Sequence, residues 1–287
     1  MPKPLQPRVM LRRAQAFVRR GILPVALLAL VLMPAAGQRR LDELRGVAPP
    51  RMERREASSN SGQPAGEFTF ARMIYNNQFT SYNRRRGGAW AIDFPEADNH
   101  FITGIRDWAG TNLRVSPTPE QVEILDERLF DYPLIYIVEP GYMDLTDEQA
   151  ARLREYLLRG GFLFLDDFWG EAEYYNVQEQ LKKVLPEHGI KELPLTHPVF
   201  HSYLDIGEVV QVPNIYNAQR GITHEKGGIV PYYMGVEDKH GRLVVFIARN
   251  SDLGDAWEWI NDSRYPVKYG LAAYKVGVNV VIYAMSH

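Results

Sequence analysis

The stretch Arg159-Gly160-Gly161-Phe162-Leu163-Phe164-Leu165-Asp166-Asp167-Phe168-Trp169-Gly170 constrains the fold more than any other. Its apolar run shows no alternation, so a strand made from it must bury both faces, as strands of parallel sheets do. The paired glycines end whatever helix comes before. The acidic, aromatic segment closed by Gly170 is read as the strand's end, with the break at Asp166. In open α/β sheets, ligands gather beyond the carboxyl ends of the strands. Asp166, Asp167 and Trp169 are therefore expected to face a solvent-filled cleft.

The residues upstream complete a strand, helix, strand unit. Leu134-Ile135-Tyr136-Ile137-Val138 is a second buried strand, ending at Glu139-Pro140-Gly141. In the helix between the two strands, Thr146 is the N-cap and Gln149, three residues on, completes a capping box. Asp147 and Glu148 suit the positive end of the helix dipole, and Gly160 suits the C′ position. Ala150, Leu153, Tyr156 and Leu157 form its apolar face.

Elsewhere, residues 68–75 and 112–115 read as strands, and Phe101, Ile105 and Trp108 recur at helical spacing. A helix over 170–184 stops before Pro186, a hairpin pairs 232–236 with 243–249, and a last helix covers 268–284. The expected fold class is α/β: a mainly parallel, flavodoxin-like, three-layer sheet.

Charge is unevenly spread along the 287 residues. Six of the 33 basic residues lie in the first 37 positions, where there is no acid. The remaining chain has 27 basic against 35 acidic residues, a net charge near −8, which argues against a nucleic-acid phosphate track. The basic head leads into an apolar run over 21–33 and a small-residue site at Ala35-Ala36-Gly37, the pattern of a secretory signal peptide. That run is shorter than the ~20 residues of a bilayer-spanning helix, so cleavage before Gln38 is expected, with an uncleaved anchor as the alternative. Residues 38–66 read as a flexible linker, and 67–287 as the folded domain. Cys is absent, which rules out disulfides, thiolate metal sites and a cysteine nucleophile.

The order of several motifs resembles a known family. They are Phe68-Thr69-Phe70-Ala71-Arg72, Trp90 with Asp93-Phe94-Pro95, Asn112-Leu113-Arg114-Val115, Phe130-Asp131-Tyr132-Pro133, and Val138-Glu139-Pro140-Gly141. The series continues with residues 159–170 and with Asn250-Ser251-Asp252-Leu253-Gly254-Asp255. Together they are similar to the bacterial domain-of-unknown-function family 4159. That family in turn looks like the class I glutamine amidotransferase-like fold, near the trehalose-utilisation (ThuA-like) proteins. The resemblance implies a sheet of that type. It does not carry over amidotransferase chemistry, because the nucleophilic cysteine of that fold has no counterpart here, and Asp166-Asp167 lies in the comparable place.

The candidate catalytic residues are Asp166, Asp167 and Glu139, at the carboxyl ends of neighbouring strands. Clustered carboxylates can hold a hard cation or divide into an acid and a base; an Asp after a strand equally caps the next turn. Trp169, Asn250, Asp252 and Asp255 are candidate ligand-binding residues, with Trp169 as a stacking surface for a sugar ring. His197 and His201 stand at a spacing that binds metal only on a helix. No metal ligand and no cofactor is assigned. The functional expectation is an exported envelope module that recognises a carbohydrate or a protein partner without catalysis. It meets the membrane only through an uncleaved N-terminus. The alternative is a hydrolase or isomerase acting on a sugar-like substrate, with Asp166 or Asp167 as general acid/base.

Overall fold

The computed structural model describes residues 67–77, 88–109 and 113–287. The signal-peptide segment and the linker lie outside the described residues, as do Asn112 and the run Arg84-Arg85-Arg86. In chain order the elements are strand β1 (Ala71–Ile74), helix α1 (Glu96–Ala109), β2 (Glu120–Glu123) and β3 (Leu134–Val138). Next come α2 (Asp147–Leu158), β4 (Phe162–Phe168), α3 (Gly170–Val184), β5 (Lys191–Glu192) and α4 (Ile215–Gln219). The chain closes with β6 (Tyr232–Glu237), β7 (Leu243–Arg249), α5 (Leu253–Glu258) and α6 (Val267–Ser286).

The seven strands form one sheet in the order β2-β1-β3-β4-β7-β6-β5. The first five in that order are mutually parallel, and β6 and β5 add an antiparallel margin. Alternate residues of the central strands enter different cores. Tyr136, Phe162, Phe164 and Phe246 pack under α1, α5 and α6. Ile135, Ile137, Leu163 and Leu165 pack under α2 and α3. The result is the expected three-layer α/β arrangement, because a strand apolar on every residue needs helices on both faces.

Helix α2 begins as its sequence dictates. Thr146 Oγ1 accepts from the Gln149 amide at 3.2 Å, and Gln149 Oε1 accepts from the Thr146 amide at 3.1 Å. Helix α1 lies close to α6 because Gly104 has no side chain; a Cβ there would come within 2.0 Å of the Tyr274 ring. Among the described residues no helix is long and apolar enough to cross a membrane.

Three local expectations are corrected. β1 is shorter than 68–75, with Phe68 making only an isolated bridge to Val115, and the outer strand is the polar Glu120–Glu123. β4 does not break at Asp166 but continues through Asp167 to Phe168. It continues with an irregularity: Leu165 pairs with Ile247, and the next pair is Phe168 with Arg249. One extra residue is thus inserted on β4, a bulge that returns Phe168 to the face of Leu163 and Leu165. His197 and His201 bracket a 3-10 turn, Pro198–His201, whose three-residue period does not align them. His197 Nδ1 accepts from the Val199 amide, the two ring nitrogens of His201 meet Asp205 and the Leu195 carbonyl, and His197 Nε2 lies 3.8 Å from Glu237.

Candidate functional site

Four non-glycine residues at the carboxyl edge of the sheet have left-handed backbone: Asp93 (φ 60°), Glu139 (φ 51°), Asp167 (φ 56°) and Asn250 (φ 58°). Asp and Asn tolerate this region best, and such positions concentrate at functional sites. Glu139 follows β3, Asp167 lies in the β4 bulge and Asn250 follows β7. Asp93 enters from the segment before α1. Arg72 of β1 positions that segment: its Nη1 donates to the carbonyls of Trp90 at 3.1 Å and Ile92 at 2.7 Å. Its Nε donates to both carboxylate oxygens of Asp98 in α1, at 3.1 and 3.0 Å. Arg72 and Asp98 are both completely buried.

Asp166 is a positioning residue. It is fully buried and accepts from Tyr136 Oη at 2.9 Å, from the Leu253 amide at 3.0 Å and from the Gly254 amide at 2.9 Å. It thereby ties β3 and β4 to the start of α5. Burial pushes its carboxyl up to about 7, and the hydrogen bonds from Tyr136 and the two amides hold it from rising further.

Asp167 and Asp252 each use one oxygen locally. Trp169 Nε1 donates to Asp167 Oδ1 at 2.8 Å, and Asp252 Oδ1 caps α5 by accepting from the Asp255 amide at 2.8 Å. Asp255 Oδ2 accepts from the Ile215 amide at 2.5 Å. Burial is the main cause that raises all three carboxyls, with the neighbouring acids adding to it, and Asp255 stands at about 7.

Asp93 joins these residues. One oxygen each from Asp93, Asp167 and Asp252 lie within 4.8 Å of one another, and so do one oxygen each from Asp93, Asp255 and Glu258. Asp93 Oδ2 is shut off from solvent and accepts no hydrogen bond. Gly254 makes room for it, since a Cβ at that position would fall 2.8 Å from Asp93 Oδ2. Burial and then the charges of Asp255 and Glu258 push the Asp93 carboxyl well up, against the opposing pull of Arg72.

The nearby cations of the chain are engaged elsewhere. Arg72 pairs with Asp98, Lys226 with Glu173 and Glu139, and Arg249 with Glu171. Among the described residues none of Asp93, Asp167, Asp252 and Asp255 takes part in an ion pair with Lys or Arg. Converging, desolvated carboxylates of this kind either keep protons or take up a cation.

Residues 69–285 match the family described as Domain of unknown function (DUF4159). The chain belongs to that family. No curated protein matches it.

Within this DUF4159 domain, the structure brings together Asp167, Asp252 and Asp255 of the sequence candidates, with Asp166 bracing them. Glu139 is a member of neither carboxylate group, yet its charge helps to raise the Asp167 carboxyl, and it faces Lys226 at 3.7 Å. Asn250 is structural: it accepts from the Gly170 amide at 2.9 Å and donates to the Val230 carbonyl at 2.6 Å. The expectation of a solvent-filled cleft at Asp166, Asp167 and Trp169 is corrected. Trp169 is 1% exposed and points its N–H at Asp167, so its ring offers no stacking platform. Asp93 and Glu258 are the residues that sequence reasoning passed over. Asp93 stands in the sequence within the Asp93-Phe94-Pro95 motif, whereas Glu258 belongs to none of the motifs named above.

Proposed function

We propose that this chain is an exported binding module of the cell envelope that takes up a hard divalent cation at the carboxylates of Asp93, Asp167 and Asp252. One observation carries the reading: Asp93 Oδ2 is buried without a partner in a residue that shares a 4.8 Å carboxylate group with Asp167 and Asp252. A buried carboxylate oxygen left unbonded is costly. Oxygen-only donors at this separation suit Mg²⁺, Mn²⁺ or Ca²⁺, whose bonds of about 2.0–2.6 Å put neighbouring ligand oxygens about 3–5 Å apart. Trp169 Nε1 and the Asp255 amide orient Asp167 and Asp252 through their other oxygens, as outer hydrogen bonds do in metal sites.

Export is inferred from the basic head, the apolar run and the Ala35-Ala36-Gly37 site. The amidotransferase-like layout suggested by the family resemblance is supported by the mainly parallel sheet and by Asp167 in a left-handed turn at the end of a central strand. Direct acid/base chemistry by Asp166 is less favoured, because it is fully buried and its carboxylate is taken up by Tyr136, Leu253 and Gly254.

Calorimetric titration of chelator-stripped protein with Mn²⁺, Mg²⁺ and Ca²⁺ tests the reading. Saturable binding is expected in the wild type and its loss in Asp93→Asn. A wild type that binds none of the three at millimolar concentration sinks it.

A further inference from the structure

Arg249 is the last residue of β7 and belongs to neither carboxylate group. Strand alternation puts it on the same face as Val245 and Ile247, towards α3. There its guanidinium carbon lies 3.8 Å from the ring centre of Tyr174 in α3 and 5.5 Å from that of Tyr232 in β6. We propose that this guanidinium, set against two tyrosine rings, binds a carboxylate carried beside an apolar group, and that Glu171 holds its place until the ligand arrives. The proposal does not depend on the cation reading.

The donor pattern is the first support. The Nε and Nη2 N–H groups of a guanidinium point the same way, a fork that one carboxylate fills with two parallel bonds. Glu171 fills half of it, with Oε1 accepting from Nη2 at 2.5 Å. Among the described residues nothing accepts from Nε, which is shut off from solvent. A buried N–H without an acceptor is unfavourable. A ligand that takes both N–H groups therefore gains a bond that Glu171 does not make.

The unequal burial of the pair is the second support. The Arg249 side chain is 9% exposed, whereas that of Glu171 is 88% exposed. A carboxylate this open to water contributes little as an ion-pair partner and is easily displaced. The guanidinium is already oriented by its two rings, so little freedom is lost when a ligand docks.

The surroundings indicate the rest of the ligand. Val230 and Ile229 are exposed apolar residues, and Tyr175, beside Tyr174, is exposed as well. Val230 is fixed near the site: Asn250 Nδ2 donates to its carbonyl, and Tyr232, two residues on, pairs with Arg249. An apolar body next to the carboxylate would cover these side chains, whereas a bare inorganic anion leaves them in water.

The Nε–H resonance of Arg249, assigned by its loss in Arg249→Lys, reports on the fork in nitrogen–proton spectra of the full chain. Benzoate tests a free acid. The peptide acetyl-Leu-Glu-Leu-amide, with its Gln counterpart as control, tests an acidic residue of a partner protein. Saturable movement of the resonance is expected with at least one probe, and the responsive probe identifies the source of the carboxylate. Followed by the backbone amides of Glu171 and Val230, binding should weaken about tenfold or more in Arg249→Lys, which keeps the charge and loses the fork. Glu171→Gln, an exposed change, should tighten it about two- to fivefold by removing the competitor. If Arg249→Lys fails to fold, Glu171→Gln decides the matter. A resonance that neither probe moves, inorganic phosphate binding as tightly as either, or an affinity unchanged in Glu171→Gln overturns the proposal.

Discussion

Tyr136 Oη donates a 2.9 Å hydrogen bond to Asp166 Oδ2, joining the carboxyl ends of two adjacent central strands above a fully buried aromatic core. The same carboxylate oxygen accepts from the Gly254 amide, so the start of α5 hangs on this pair. Tyr136→Phe keeps the ring and removes the donor. We expect a loss of about 1.5–3 kcal/mol, as for a hydrogen bond to a charged group, with the midpoint of urea unfolding as the measurement. Unchanged stability would mean that Asp166 is held by the backbone alone.

Phe164 and Asp166 sit two residues apart on β4, and both are fully buried. Phe164→Ala opens a cavity in the core formed with Tyr136, Phe246 and Trp257 and should cost about 3–5 kcal/mol. Asp166→Asn turns an acceptor into a donor that faces the Leu253 and Gly254 amides, and should cost about 1–3 kcal/mol. A negligible cost in the second case would free Asp166 from the positioning role given to it here.

Removing one partner of the buried Arg72–Asp98 pair leaves a lone charge. Asp98→Ala should destabilise by about 3–5 kcal/mol, whereas the double variant Arg72→Met/Asp98→Leu should recover much of that loss. The double variant should also weaken Mn²⁺ binding, because without Arg72 the loop that carries Asp93 loses its two carbonyl anchors. Full affinity in the double variant would show that the anchors are dispensable.

Stability should depend on pH in a direction unusual for carboxylates. Asp166 and Asp255 have folded-state values of about 7 against 3.8 for the free side chain, so the folded chain binds their protons more tightly than the unfolded chain. Their favourable contribution is complete below about pH 4 and is lost as pH rises through 7. Glu187 and Asp262 act oppositely: their hydrogen bonds to Arg154 and Arg264 hold both at about 2, and that contribution fades as pH falls from 4 towards 2. Urea midpoints in chelator should therefore peak near pH 4 and decline as pH rises through 7. A divalent cation should lift the pH 8 value most, since it competes with the protons. A flat profile between pH 5 and 8 in chelator contradicts the raised values.

Legibility from sequence followed the range of the interactions. The capping box of Thr146 and Gln149 and the Phe162–Phe168 strand's apolar beginning were readable, because the determinants lie within a few residues. The continuation of that strand through Asp166 and Asp167 was not. Those carboxylates are made tolerable by Tyr136, 30 residues away, and by the Leu253 and Gly254 amides, 87 and 88 residues away. The polar Glu120–Glu123 strand has no hydrophobic alternation and is held by backbone pairing with β1. Asp93 was quotable as part of a motif, yet its place in the carboxylate groups depends on Arg72 and on the missing side chain of Gly254.

The left-handed backbone at Asp93, Glu139, Asp167 and Asn250 separates two properties that a single side chain usually carries together. At Asp93 and Asp167, Asn preserves the conformational preference while erasing the charge, and Gly preserves the conformation while erasing the whole side chain. Ala erases the side chain and also opposes the turn. Substitution with these three residues at each position yields a grid in which electrostatics and chain geometry vary along different axes. The margin of this sheet can therefore be re-charged without being reshaped, and natural or engineered relatives are free to change what it attracts while keeping the path of the chain.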